Sequence, residues 1–498
     1  MNPRLAPLCL ALLLALPGAR AAKIDAAVET ALAERGAADV LILLADQARP
    51  TLAPLAPRAD YRLRRRALVD ALRDRAAFRQ AGLRDWLDAR AIDYRPFWLV
   101  NAVQATLGPG DVIALSARDD IARIAANPGI ALRLPASPSS APTITAPEAI
   151  EWGVAKIRAP EAWSAGFTGQ GVVIGGQDTG YQWDHPALKT QYRGWNGSSA
   201  AHDRNWHDAI HPGAPSNDCG YNRPAPCDDD GHGTHTAGTF AGDDGGANRV
   251  GVAPGARWIG CRNMAAGNGT PATYIECMQW FLAPTDLAGN DPDPDYAPDV
   301  LSNSWGCPPS EGCTVGNELD AAVQTLVDAG IFFAAAAGND GSGCATIFDT
   351  PATHDASFVV GSTRSSDAIS GFSSRGPLAG AASIRPDVVA PGSSVRSAVP
   401  GNAYGSKSGT SMATPHVAGA AALVMSANPA LKGHPEEVAA LLRSTAVRSG
   451  ITDSSNPGGC GGLNLGTWPN HQAGWGRIDA WAAVQAAIPA LFADGFED

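Results

Sequence analysis

Four short stretches of the sequence carry residue types that could move a proton or attack a carbonyl. The first, Val172–Gly180, is an apolar run that ends in Asp178 and then a Thr-Gly turn. A carboxylate at such a strand end can hold an imidazole, although a turn or capping aspartate would read the same way. The second, Asp228–Gly238, places His232 and His235 where a polar, Gly-bounded loop gives way to a small-residue helix. A neutral imidazole there can take a proton from an alcohol, because its ordinary pKa lies near working pH. A metal site built on both histidines is the rival, but His-Gly-Thr-His lacks the glutamate and the i,i+4 spacing of a zinc-binding helix. His235 alone reads better as a packed, hydrogen-bonded histidine. The third stretch, Gly409–Gly419, delivers Ser411 to the start of a strongly apolar helix. Free N–H groups at a helix start can meet a developing oxyanion, and an N-cap serine is the plainer alternative. Pro415 is expected in the first turn, where it costs no helical hydrogen bond. The fourth, Ile331–Asp340, is a buried strand ending in Gly338 and Asn339. Asn339 could turn its amide toward a substrate carbonyl oxygen, a contact worth on the order of 3 kcal/mol of barrier, or it is a turn asparagine.

These residues need a frame that brings distant positions together. Beyond residue 150 the sequence alternates strand signals with helical ones. The strands are expected at 172–175, 258–261, 300–303, 331–336, 358–361 and 388–390, and the helices at 272–281, 318–329 and 414–427. That alternation implies a mostly parallel sheet covered by helices. Ligands in such sheets sit at the carboxyl ends of the strands, which is where the four stretches fall. Residues 23–134 read as a compact α+β unit, with a strand at 40–44, a long Arg/Ala/Leu helix over 59–89, and apolar segments at 98–105, 112–115, 121–126 and 130–134. The run Arg62–Arg66 is expected to be a solvated helix face. Pro135–Pro142 is small, polar and proline-rich, as an exposed linker would be.

Composition narrows the class. Of the 498 residues, 45% are apolar, enough for a large core. Residues 23–140 carry 17 Lys+Arg against 14 Asp+Glu, and residues 141–498 carry 18 against 35. So acidic a body argues against nucleic acid as a partner, whereas a slightly basic front part would suit docking on it. Residues 1–21 read as an export signal: Arg4, an apolar run at Leu8–Leu16, and Ala19-Arg20-Ala21 at the cleavage positions. The run is too short to span a bilayer, so no transmembrane segment is expected in the mature form. Eight cysteines follow the signal, all beyond residue 218. An even number in an exported chain suggests disulfides; short-range pairing would join 219 with 227, 261 with 277 and 307 with 313, leaving 344 with 460, one of 105 connectivities.

The four motifs together, in the order Asp, His, Ser, resemble the subtilisin-like serine proteases, the subtilase family. The similar stretches are Gly176–Leu188, Asp229–His235, Gly251–Ile259, Ala297–Gly306 and Ser408–Ala413, within roughly residues 150–487. The resemblance implies a three-layer α/β/α catalytic domain (150–489) with a mostly parallel sheet, preceded by a small α+β pro-domain (22–138). The latter resembles the family's pro-region more loosely, through Tyr94–Asn101. Residues 139–149 would be the linker and processing zone, and 490–498 a short acidic tail. By the same resemblance Ser411 is the nucleophile, His232 the general base, Asp178 its orienting carboxylate and Asn339 an oxyanion donor. Ser304, Trp305, Gly306, Ala336, Ala337 and Gly338 would bind substrate. Trp305 is bulkier than the leucine of subtilisin and should reshape a subsite, and Asp340 could favour a basic substrate residue. The implied protein is a secreted or periplasmic endopeptidase made as a self-processed zymogen, acting on polypeptides, with its own pro-domain as intramolecular inhibitor. No cofactor is required for the chemistry. Subtilisins often bind structural calcium; Asp291–Asp295 alternates carboxylates but lacks an EF-hand's spacing, so ligands are not placed. A peptide-binding scaffold without catalysis and a metal-dependent hydrolase centred on His232 and His235 are the competing classes.

Overall fold

The computed structural model describes residues 23–47, 60–135, 150–313 and 318–489. The expected export signal, the 139–149 zone and the acidic tail lie outside the described residues.

The N-terminal unit contains α1 (Ala26–Arg35), β1 (Ala38–Leu44), α2 (Tyr61–Asp88), β2 (Tyr94–Phe97), β3 (Ala102–Leu107), α3 (Pro109–Ser116), β4 (Ile121–Ala126) and β5 (Ile130–Ala131). Its sheet is antiparallel in the order β2-β3-β1-β4. The apolar segment at 98–105 divides into a turn and β3, because the backbone N–H groups of Trp98 and Leu99 both donate to Gln279 Oε1 at 2.7 and 3.1 Å.

The larger body begins with α4 (Trp152–Lys156), α5 (Ala159–Ser164), β6 (Val173–Asp178), β7 (Trp206–Asp208), α6 (His232–Ala241) and β8 (Arg257–Arg262). A hairpin of β9 (Met264–Ala265) and β10 (Asn268–Gly269) precedes α7 (Pro271–Leu282), β11 (Val300–Asn303), α8 (Glu318–Asp328), β12 (Phe332–Ala336), β13 (Phe358–Thr363) and β14 (Val388–Pro391). The chain continues with the hairpin β15 (Val395–Val399) and β16 (Ala403–Lys407), then α9 (Thr410–Ala427), α10 (Pro435–Ser444) and α11 (Ala480–Ala487). Seven strands form one parallel sheet in the order β14-β13-β12-β11-β6-β8-β7.

Alternate strand residues feed two cores, as a sheet buried on both faces requires. Ile174, Val300, Phe332 and Val360 pack with α6, α9, α10 and α11. Ile259, Leu301, Phe333 and Ala335 pack with α7 and α8, and Leu68, Val69 and Leu72 of α2 join that second layer. The body is therefore three-layered, α/β/α, with the N-terminal unit seated on one helical layer.

That seating corrects the reading of Arg62–Arg66. Arg65 is only 2% exposed and donates to the Ala329 and Pro294 carbonyls at 3.0 and 3.5 Å. Arg64 reaches the Gly433 carbonyl at 2.8 Å, and Arg66 pairs with Asp295. A charge run in sequence does not reveal which of its members will find carbonyls on a neighbouring unit.

The three short-range cysteine pairs, Cys219–Cys227, Cys261–Cys277 and Cys307–Cys313, are bonded, as is the remaining pair, Cys344–Cys460. Among the described residues no helix is long and apolar enough to cross a membrane.

Candidate active site

Three adjacent strands, β6, β11 and β12, end on the same edge of the sheet. Their last residues and the turns that follow supply Asp178, Ser304–Gly306 and Gly338–Asn339. Helices α6 and α9 pack against one another and begin with His232 and Thr410-Ser411.

Asp178 closes β6 at 2% exposure. Its Oδ1 accepts from the Thr179 backbone N–H and from His232 Nδ1, both at 2.7 Å. Oδ2 accepts from Thr236 Oγ1 at 3.2 Å. The ring is fully buried, and with Nδ1 donating to a carboxylate, Nε2 is the unprotonated nitrogen. That Nε2 has no hydrogen-bond partner among the described residues. Two glycines allow the approach. A Cβ on Gly233 would stand 2.1 Å from the Gly180 carbonyl oxygen, and one on Gly180, at φ +110°, only 1.8 Å from that of Cys227.

Asp228 organises this corner, a role the sequence motif did not assign it. Its carboxylate accepts from Thr179 Oγ1 (2.8 Å), the Gly231 N–H (2.8 Å), and the Thr234 N–H and hydroxyl (2.9 and 2.6 Å). Burial pushes its pKa up, against the pull of those donors. An aspartate a few residues before a helix start was the available signal.

Ser411 is the second residue of α9 and 3% exposed. Its hydroxyl donates to the Ser304 carbonyl at 3.1 Å, while Ser304 Oγ donates back to the Ser411 carbonyl at 2.9 Å. The Ser411 hydroxyl is thus turned to Ser304 and not onto His232 Nε2; such catalytic contacts commonly tighten only in the reacting complex. The same pair corrects the placement of Pro415. Helix α9 starts at Thr410, so Pro415 lies inside the helix, beyond its first turn. Having no N–H, it leaves the Ser411 carbonyl without its helical donor, and Ser304 fills that place.

Asn339 is fixed by its own oxygen. Oδ1 accepts from the Thr410 N–H at 2.9 Å and the Thr410 hydroxyl at 3.1 Å. The amide nitrogen therefore points outward, and it donates to the backbone carbonyl of Arg133 at 2.9 Å. Arg133 belongs to a stretch of the N-terminal unit that runs into a cavity lined by Ser304, Gly306, Ala336, Gly338, Asn339 and Ser411. Trp305 also lines it but stacks its indole on Tyr274, at 4.0 Å and 11° between planes. Ala337 goes elsewhere, packing with Ile347, Ala352, Val359 and Leu378.

His235 donates through Nε2 to the Val395 and Gly405 carbonyls, 2.9 and 3.1 Å away. Burial, with Lys407 and His232 adding repulsion, brings its pKa down to about 3. Both histidines are thus committed to protein partners. The Asp291–Asp295 run does not gather either: Asp295 pairs with Arg66 and Asp293 accepts from the Asp295 N–H. Among the described residues no group of three or more His, Cys, Asp or Glu could hold a metal ion.

The sequence profile of the subtilase family matches residues 169–476. Bacillopeptidase F of Bacillus subtilis (strain 168) is 38% identical over 360 residues, which cover 70% of this chain and 23% of that relative. The chain thus matches under a quarter of bacillopeptidase F. An alkaline protease of Alkalihalobacillus alcalophilus is 32% identical over 355 residues, 70% of this chain and 77% of the relative. Subtilisin Savinase of Lederbergia lenta is 34% identical over 304 residues, 60% and 94% respectively.

Proposed function

The chain belongs to the subtilase family, and on that premise we propose that it is an exported serine endopeptidase made as a self-inhibited, self-processing zymogen. Ser411 Oγ adds to a peptide carbonyl carbon while its proton passes to His232 Nε2, and Asp178 steadies the resulting imidazolium. The oxyanion is received by Asn339 Nδ2 and the Ser411 backbone N–H. Collapse expels the amine, protonated by His232, and water then frees the acyl group from Ser411.

The single observation that carries this reading is the Asn339 contact. A donor whose orientation is fixed by Thr410 already holds a peptide carbonyl beside Ser411. The peptide belongs to the N-terminal unit, which supports the further reading that this unit is a pro-domain blocking the site with its own tail. A peptide-binding scaffold would need no buried Asp178–His232 pair, whose formation leaves one ring nitrogen free to accept a proton.

The test compares wild type with Ser411→Ala in a host lacking other proteases. We expect the variant to stay full length, to lose labelling by a fluorophosphonate, and to lose peptide hydrolysis by about 10⁶-fold. A Ser411→Ala chain with the same processed N-terminus and comparable hydrolysis would remove the reading.

A further inference from the structure

Residues 130–135 meet the body the way a substrate strand would. β5 pairs antiparallel with β10, Ala131 opposite Asn268 and Ile130 opposite Gly269, which adds a strand to the β9–β10 hairpin. The Leu132 N–H donates to the Gly267 carbonyl at 2.8 Å. Ile130 is fully buried in the layer formed with α7 and α8. The next carbonyl, that of Arg133, receives Asn339 Nδ2. Beyond it the chain crosses the start of α9: Pro135 Cδ lies 3.6 Å from where a Cβ on Gly409 would be.

The Arg133 side chain has its own partners. Its Nη2 donates to Glu311 Oε1 at 2.6 Å. Asp340 and Asp349 line the same cavity. Among the described residues Glu311 Oε2 and Asp349 Oδ1 are buried without hydrogen-bond partners, and Asp349 is only 8% exposed. Glu311 therefore binds the guanidinium directly, while Asp340 and Asp349, which line the cavity, act on its charge. An apolar side chain in that place would leave these acids unanswered, whereas a planar cation offers several donors at once. The backbone contact to Asn339 and the side-chain contact to Glu311 are independent, and both select the same residue.

We propose that the enzyme cuts its own chain between Arg133 and Leu134, and that the pocket of Glu311, Asp340 and Asp349 makes arginine its preferred residue before the scissile bond in any polypeptide. This rests on the serine-peptidase reading above. Ser411 Oγ bonds to the Arg133 carbonyl carbon as its proton moves to His232. The Arg133 C–Leu134 N bond then breaks, and His232 returns the proton to the Leu134 nitrogen. Water hydrolyses the ester on Ser411, leaving a carboxylate on Arg133 and a new N-terminus at Leu134. Glu311 and Asp349 hold the side chain and take no part in bond making. The cut falls one bond before Pro135, upstream of the 139–149 zone expected from composition.

The experiment follows the full-length chain in time, by intact mass and N-terminal sequencing of the earliest product. Wild type, Ser411→Ala and Arg133→Leu are compared. The processed enzyme is then assayed on fluorogenic peptides Ile-Ala-Leu-Xaa, with Xaa as Arg, Lys, Leu or Phe, alongside Glu311→Gln and, separately, Asp349→Asn. The expected first N-terminus is Leu134. Arg133→Leu should slow that cut about 10- to 100-fold, and Glu311→Gln should lower the Arg-to-Leu ratio of kcat/KM by a similar factor. An earliest cut at another bond overturns the proposal, as does an Arg-to-Leu ratio that neither Glu311→Gln nor Asp349→Asn lowers. If instead Ser411→Ala processes itself and turns over the peptides like wild type, the serine-peptidase reading falls, so the two failures are told apart.

Discussion

Asp349 sits where two opposing influences meet. Burial pushes its carboxyl up to about 7, Asp340 and Glu311 add repulsion, and the Arg133 guanidinium pulls the other way. Below that pH the acid is neutral; above it the pocket gains a negative charge facing the substrate side chain. Selectivity for arginine over leucine should therefore rise as pH climbs from about 6 to 8, and Asp349→Asn should flatten the rise. Profiles of kcat/KM against pH for the two peptides check this, and a flat wild-type ratio would refute it. The two sets of site residues differed in how legible they were. Asp178, His232, Asn339 and Ser411 each stand at an abrupt change from apolar run to turn, or from turn to helix, and such changes are visible in one dimension. Glu311 ends a single 3-10 turn and Asp349 stands in a loop, and their relation to Arg133, 178 residues from Glu311 in the chain, exists only once the small unit docks.

Helix α9 shows how an element can carry a built-in gap. Residues 410–425 are all buried, so its start cannot borrow water for an orphaned carbonyl. Pro415 creates such an orphan at Ser411, and Ser304 Oγ is the donor that meets it. Ser304→Ala should lower unfolding free energy by about 1–3 kcal/mol and, by loosening the Ser411 peptide unit, lower kcat as well. Denaturant unfolding on a Ser411→Ala background and kcat on the active one measure the two effects. Unchanged stability would mean that the carbonyl finds another partner. At this scale the sequence was most readable: the six strands expected beyond residue 150 all appear, with ends displaced by at most three residues. Among what it hid were β7, only three residues long, and the β15–β16 hairpin, whose second strand, Ala403–Lys407, has no fully buried residue. Neither has an apolar period for a reader to find.

Where the two units meet, cations of the small one rest on carbonyls and acids of the large one, beside the apolar layer that Leu68, Val69 and Leu72 share with it. Besides Arg64, Arg65 and Arg66, Arg95 lies 3.2 Å from Glu276 and Arg123 3.8 Å from Glu318. Burial would raise the Glu276 pKa, but His207, His211 and Arg95 together hold it well below the usual range. Arg65 is the buried member of the set, its own pKa lowered by desolvation. Arg65→Ala removes the donor from two inter-unit carbonyls, and in a chain kept uncut by Ser411→Ala it should speed hydrogen exchange along β5 and the 98–101 turn about tenfold or more. Unaltered exchange at both places would show that Arg65 does not govern docking.

The crosslinks are distributed unevenly around the edge of the sheet. Cys307–Cys313 closes a short span around Glu311, and Cys344–Cys460 anchors the segment between Asp340 and Asp349. Cys219–Cys227 stands behind the other corner: Cys227 directly precedes Asp228, and its carbonyl accepts from the Tyr181 N–H at 3.2 Å, beside Gly180. Sulfur bridges thus back both the Arg133 cavity and the Asp178–His232 corner, so a thiol reductant should loosen the two together.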